Sequence, residues 1–258
     1  MHIGGLLRRA AAMGPLLAVS VVDSARFLRD GYVVVDDVLE PTAVDHLRGR
    51  VLAMRDAWGL GSGGGTTIAD FLAIPDFRFL HDLPRHPKLL SALHGAFGGP
   101  DFRFCSHNDI GIDRTVGWHK DKLNHEYARY QTLPLWPRRG RRERAGHFIL
   151  KAAIYLQDHT DDDGALRLLP ASHKTRVVQR NATAMVLHPR KGSFVLFEQR
   201  ITHRGQLAAD PGRGRVMISL GFGRRNAWTD EFEAGTRARQ VNTTACQRLV
   251  RRRFAQVQ

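Results

Sequence analysis

Apolar positions along the chain show two textures, a helical spacing early and short strand-like runs later. Phe27 and Leu28 make a short amphipathic turn after Ser24, and Gly31 ends it. Tyr32 to Val35 is a β-branched run that predicts a strand. Pro41 suits the first position of a helix, where the missing N–H costs nothing. Val44, Leu47, Val51, Leu52 and Met54 carry that helix to near Gly59. Gly59 to Gly65 reads as a loop, and Pro87 to Phe97 as a further helix.

From Phe102 onward short apolar segments alternate with Gly, Asp and Pro. They predict strands at Phe102–Ser106, Val116–Asp121, Phe148–Gln157, Ala165–Leu169, Ala184–Leu187, Ser193–Phe197 and Arg215–Phe222. Many short strands between turn residues indicate an all-β sandwich or barrel. The tail from Thr229 returns to helix-like polarity with an Arg-rich end. The expected organisation is one domain over 23–258: a helical part at 23–100, a β core at 101–225 and a helical tail at 226–258.

Composition narrows the class. At 258 residues, with 43% hydrophobic and 25% charged residues, the chain suits one soluble domain. Cys105 and Cys246 are too few for a disulfide framework, so a reduced, cytoplasmic setting is expected. Net charge is +14, carried by 33 Arg against 6 Lys, a skew that reads as codon bias. The basic residues are dispersed, and no nucleic-acid-binding pattern accompanies them. An acidic small molecule, free or held on an acidic carrier, is the expected partner rather than nucleic acid. Arg8 and Arg9 followed by Ala10 to Val22 resemble a signal peptide, with Ala18-Val19-Ser20 as a cleavage site. Pro15 interrupts that run and Met13 offers another start, so residues 1–22 are expected to be disordered or mis-started. No stretch is long enough to span a membrane.

The candidate chemistry is metal chemistry. An iron that must hold a bidentate cosubstrate and O₂ accepts three protein ligands, two imidazoles and a carboxylate on one face. A His-x-Asp pair on a strand supplies two, because alternate residues share a face. Three such pairs occur: His107/Asp109, His119/Asp121 and His159/Asp161. The last lies in an Asp-rich turn. His107/Asp109 sits on a plausible strand and competes. His119/Asp121 is favoured because Gly117-Trp118 leads into it while Lys120 and Lys122 face the other way.

The wider pattern resembles the phytanoyl-CoA dioxygenase family of 2-oxoglutarate oxygenases. It is carried by the segments Phe27–Val35, Gly117–Asp121, Gly164–Lys174 and Gly192–Phe197, then by His203 and Arg215. The resemblance implies a double-stranded β-helix, or jelly-roll, core. It implies His119, Asp121 and His203 as iron(II) ligands and Arg215 as the 2-oxoglutarate arginine, its planar fork suited to a carboxylate. Lys151 is a further candidate contact to the cosubstrate, and Arg213 a turn-borne rival to Arg215. His173, in the Pro-Ala-Ser-His-Lys turn, is expected to be structural. Ala171 stands where the family usually carries Gly, and Gly205 where a Ser often helps hold 2-oxoglutarate.

The implied reaction consumes Fe(II)-bound 2-oxoglutarate and O₂, releases succinate and CO₂, and hydroxylates a small molecule. Desaturation, epimerisation or cyclisation at the same site is the alternative, and a non-catalytic jelly-roll binding protein is the alternative of another class. A carboxylate at 121 argues against halogenation, which needs that position vacated. The insertion Tyr127–Gly146, with the basic run Arg138–Arg144, reads either as a solvated loop, which suits most of its arginines, or as a lid at the barrel mouth that could clamp an anionic substrate.

Overall fold

The computed structural model describes residues 22–60, 65–121, 125–136, 149–160, 164–179, 183–205 and 214–255. It opens with helix α1 (Ser24–Asp30), where the Asp23 carboxylate accepts from the backbone N–H groups of Ala25 and Arg26. Gly31 closes it in the left-handed region at φ +83°, a conformation glycine adopts without strain. Strand β1 (Tyr32–Val35) follows, then helix α2 (Pro41–Ala57) with Pro41 in its first turn. Strand β2 (Thr66–Ala69) and three short 3₁₀ turns lead to helix α3 (Pro87–Phe97).

The β-rich part comprises β3 (Phe102–Ile112), β4 (Val116–His119), β5 (Ile149–Tyr155), β6 (Leu166–Leu168), β7 (Met185–Leu187), β8 (Phe194–Glu198), β9 (His203–Gly205) and β10 (Val216–Arg224). A short helix α4 (Ala128–Thr132) sits between β4 and β5, and α5 (Ala227–Ala255) ends the chain. Two antiparallel sheets form, in the orders β1-β8-β5-β10-β3-β2 and β4-β9-β6-β7.

Strand β5 shows why the large sheet is buried on both faces. Leu150, Ala152 and Ile154 point into a cluster with Val44, Leu47 and Val51 of α2 and Leu89, Leu93 and Ala96 of α3. Their neighbours Ala153 and Tyr155 point the other way, onto Leu166, Leu168 and Leu187 of the small sheet. The period of two thus divides one strand between a helical layer and the space between the sheets. Each large apolar side chain buried this way contributes roughly 1.5–3 kcal/mol.

The structure departs from the sequence expectation in its topology. β1 and β2 come from the stretch expected to be the helical part, yet they form the two edges of the large sheet. β2 was not expected at all, and β3 runs on to Ile112 rather than stopping at Ser106, because Thr66 to Ala69 pair with its second half. β9, only three residues long, is too short for periodicity to reveal. The lid segment Arg138–Arg144 and Arg213 lie outside the described residues. Among the described residues, no helix is long and apolar enough to cross a membrane.

Candidate active site

Strands β4 and β9 bring two histidines side by side. His119 ends β4, His203 begins β9, and the two are paired across the ladder, with ring centroids 4.2 Å apart. Both rings are oriented by backbone: His119 Nδ1 donates to the Gly117 carbonyl at 2.7 Å and His203 Nδ1 to that of Ile201 at 3.0 Å. A carbonyl can only accept, so Nδ1 carries the proton and Nε2 keeps its lone pair. Those Nε2 atoms lie 3.4 and 3.8 Å from the same oxygen, Oδ1 of Asp121. Candidate ligand atoms of the three residues all fall within 4.8 Å of one another. Asp121 lies just past the end of β4, held there by its N–H donating to the Gln199 carbonyl at 3.0 Å. Burial pushes the His203 imidazole down to about 3 against the opposing pull of Asp121, so it stands neutral, the form a metal requires.

A cavity of about 450 Å³ opens from this cluster between the sheets. Arg215, just ahead of β10, lies along it with its Nε and Nη2 buried and without a hydrogen-bond partner among the described residues. Among the described residues, the carboxylate that approaches it is that of Asp113, 3.8 Å from Nε. Asp113 also accepts from the backbone N–H groups of Arg215 and Gly214, at 2.8 and 3.0 Å, which fixes the entry to the strand. Gly164 makes room for the guanidinium: a Cβ there would sit 1.6 Å from Arg215 Nη1, and its φ is +69°. Buried donors left unfilled on a planar cation fit a carboxylate ligand. Burial raises the pKa of the Tyr155 hydroxyl on the same wall, so it remains a neutral donor.

The segments that carry the candidate ligands are braced from below. Lys120, between the two candidate ligands, points away from the histidines and donates to the carbonyls of Ser172 and Arg200 at 2.7 and 2.6 Å. It is buried rather than solvent-facing, and burial lowers its pKa to about 8. Ser172 Oγ accepts from the Thr202 N–H at 2.8 Å, next to His203. One residue of the Pro-Ala-Ser-His-Lys turn therefore ties together both strands that carry the site. The rest of that turn caps α1. The Ala171 N–H, a ring nitrogen of His173 and the Lys174 ammonium meet the carbonyls of Asp30, Leu28 and Arg29 at 2.8, 3.2 and 3.0 Å. His173 has this structural place, against Gly31, and no place among the three converging candidate ligands.

The competing pairs are also located. His107 and Asp109 face the same cavity from β3, but Arg239 of α5 donates to both Asp109 oxygens at 2.7 and 2.9 Å. His107 Nε2 lies 3.2 Å from Ser219 Oγ. His159 lines the cavity and is joined to Gln157 at 2.9 Å, while Asp161 lies outside the described residues. Lys151 meets Asp121, with Nζ 2.5 Å from Oδ2. Gly205 does line the cavity. Sequence reasoning missed Arg239, Arg114 and Tyr155 on these walls. Arg239 lies 130 positions from its partner and no local pattern marks it.

The family model for phytanoyl-CoA dioxygenase (PhyH) matches residues 27–207, more than half of the chain. The chain belongs to this family. As a member of the phytanoyl-CoA dioxygenase family it is an oxidoreductase that depends on non-haem iron and 2-oxoglutarate and acts on a small molecule, with Fe(II), 2-oxoglutarate and O₂ as its cofactor and cosubstrates. No curated protein sequence matches the chain. Solved structures of jelly-roll oxygenases share its fold. The 2-oxoglutarate-dependent epimerase SnoN from nogalamycin biosynthesis is 19% identical, with 86% of this chain and 83% of that one covered at a TM-score of 0.55. The carbocyclase SnoK of the same biosynthesis is 19% identical, with coverages of 81% and 87% and a TM-score of 0.58. HygX from Streptomyces hygroscopicus, solved with nickel and 2-oxoglutarate, is 17% identical, with coverages of 82% and 88% and a TM-score of 0.59.

Proposed function

We propose that His119, Asp121 and His203 hold the iron(II), that Arg215 binds the distal carboxylate of 2-oxoglutarate, and that the enzyme hydroxylates an anionic small molecule. The observation that carries this reading is the convergence of two backbone-oriented Nε2 atoms and one carboxylate oxygen beside a buried guanidinium whose Nε and Nη2 have no hydrogen-bond partner among the described residues. When bound, the iron and its cosubstrate supply the oxidising power, and succinate and CO₂ are the by-products.

The chain's own residues bind, orient and exclude water. Gly117 and Ile201 hold the two imidazoles in one tautomer through their carbonyls. Arg215 sets the direction of the cosubstrate, and the apolar walls of Ala153, Leu166, Phe197 and Val216 keep the reacting region dry. The charge on the walls supports an anionic substrate. Arg114, Lys151, Arg215 and Arg239 face the cavity against Asp109 and Asp121. A divalent ion and a dianionic cosubstrate cancel, which leaves the excess positive charge for a substrate carboxylate or phosphate, free or on a carrier. A cytoplasmic setting fits a buried cysteine outside any disulfide, Cys105, and the use of 2-oxoglutarate.

The test is anaerobic addition of Fe(II) and 2-oxoglutarate to wild type and to His203→Ala, followed by the visible charge-transfer absorption. A band in wild type that the variant lacks supports the triad, and a panel of anionic compounds is then screened for succinate release and product identity. Folded, iron-loaded wild type with no band overturns the assignment. An epimerised or cyclised product would keep the site and change the outcome.

A further inference from the structure

We propose that Lys151 is a positioning residue for Asp121: it holds the outer carboxylate oxygen so that only Oδ1 faces the metal. The inference rests on the assignment of His119, Asp121 and His203 as the metal site. Three observations carry it. Lys151 Nζ lies 2.5 Å from Asp121 Oδ2, while both histidine Nε2 atoms approach the other oxygen, Oδ1. The two oxygens of one carboxylate are thus assigned to different neighbours. The ammonium is also confined: its side chain is 15% exposed, and Nζ lies 5.5 Å from the centre of the Phe197 ring on the adjoining strand. Finally, the residue paired with Lys151 on the other side is Gly221, and a Cβ there would come within 2.7 Å of His107 Cβ and 3.1 Å of Cys105 Sγ. No side chain can be placed at that position to displace the lysine.

The consequence follows from counting coordination positions. An octahedral ion with three protein ligands has three left, two for a chelating cosubstrate and one for O₂. A carboxylate that used both oxygens would take one of these. Holding Oδ2 on an ammonium keeps Asp121 monodentate and the face open. The same ammonium repels a divalent ion and draws charge from its ligand, so this arrangement lowers affinity for the metal itself. Lys151 therefore exchanges metal affinity for cosubstrate access. That sign separates the proposal from direct contact between Lys151 and 2-oxoglutarate, which predicts no change in metal binding when cosubstrate is absent.

The experiment measures Mn(II) binding to the full chain by the paramagnetic resonance of the free ion, first without and then with 2-oxoglutarate. Wild type, Lys151→Met and Lys151→Arg are compared, with melting curves to confirm folding. The expected result is that Lys151→Met binds Mn(II) several-fold more tightly than wild type without cosubstrate and gains far less from adding it, while Lys151→Arg behaves as wild type. Lys151→Gln, which also removes the charge, carries the same test if the Met variant does not fold. Unchanged Mn(II) affinity without cosubstrate in the charge-removing variants overturns the proposal, and weaker 2-oxoglutarate binding alongside it assigns Lys151 to the cosubstrate. Folded wild type that binds no Mn(II) overturns the metal-site assignment instead, before any variant is considered.

Discussion

The Lys120 ammonium donates to the Ser172 carbonyl at 2.7 Å, joining the segment between two candidate ligands to the turn that also anchors the residue before His203. A second carbonyl, that of Arg200, shares the same ammonium at 2.6 Å. Removing the cation takes this donor from the Arg200 carbonyl, while the Ser172 carbonyl keeps the Thr175 N–H at 3.2 Å. Lys120→Met is expected to cost roughly 1–3 kcal/mol, the cost of one buried polar group left unsatisfied. Urea denaturation measures this, and a variant as stable as wild type would show that the brace contributes nothing. Metal affinity should fall with it, because His119, Asp121 and His203 lose a common support.

Arg215 is expected to act on the cosubstrate alone. Two charge-assisted hydrogen bonds to a carboxylate are together worth about 3 kcal/mol, so Arg215→Met should weaken 2-oxoglutarate binding roughly 100-fold. Mn(II) binding without cosubstrate should stay at the wild-type level. Gly164→Ala should weaken 2-oxoglutarate binding in the same direction, because the added methyl lands on Nη1 of that arginine. Equal losses of metal and cosubstrate in Arg215→Met would place the residue elsewhere in the mechanism.

Arg239 makes a different prediction. It neutralises Asp109, whose side chain is only 8% exposed, from a helix outside the sheets. Removing one member of a buried pair is costly, so Arg239→Met should lose about 3 kcal/mol. Adding Asp109→Asn removes the stranded charge and should restore much of that loss. Thermal melts of the two single variants and the double variant test the coupling, and strict additivity would contradict it.

Ala171 sits in the left-handed region at φ +61°, where a side chain is strained by about 1–2 kcal/mol. Ala171→Gly is therefore expected to stabilise the protein by about 0.5–1 kcal/mol, net of glycine's greater freedom in the unfolded chain. Chemical denaturation should show a raised midpoint with an unchanged slope. A lowered midpoint would mean that the methyl group contributes packing that outweighs the strain.

Much of the fold was legible from local signals. Tyr32 to Val35, the Pro41 helix and the Pro87 helix follow from propensity and period, which act within a few residues. Strand boundaries at β5, β6, β7, β8 and β10 fell within about two residues of the expectation, the usual uncertainty at element ends. β2 was not legible, since Thr66 to Ala69 become a strand only because β3 offers them an edge.

By itself the sequence determined most element types, the order of helices then β core and the residues able to bind a metal, because each rests on short-range chemistry; the jelly-roll class was implied by the family resemblance. Tertiary structure decided which of them meet. Periodicity could not separate His107/Asp109 from His119/Asp121. The fold places the two pairs differently, with Arg239 of α5 on Asp109 and His203 of β9 against His119. It likewise turned Lys120 into a buried brace and set Lys151 against Asp121. The physical reason is the same in each case: an ion pair or ligand set between residues distant in sequence depends on strand register and helix docking, and neither leaves a mark in the neighbouring residues.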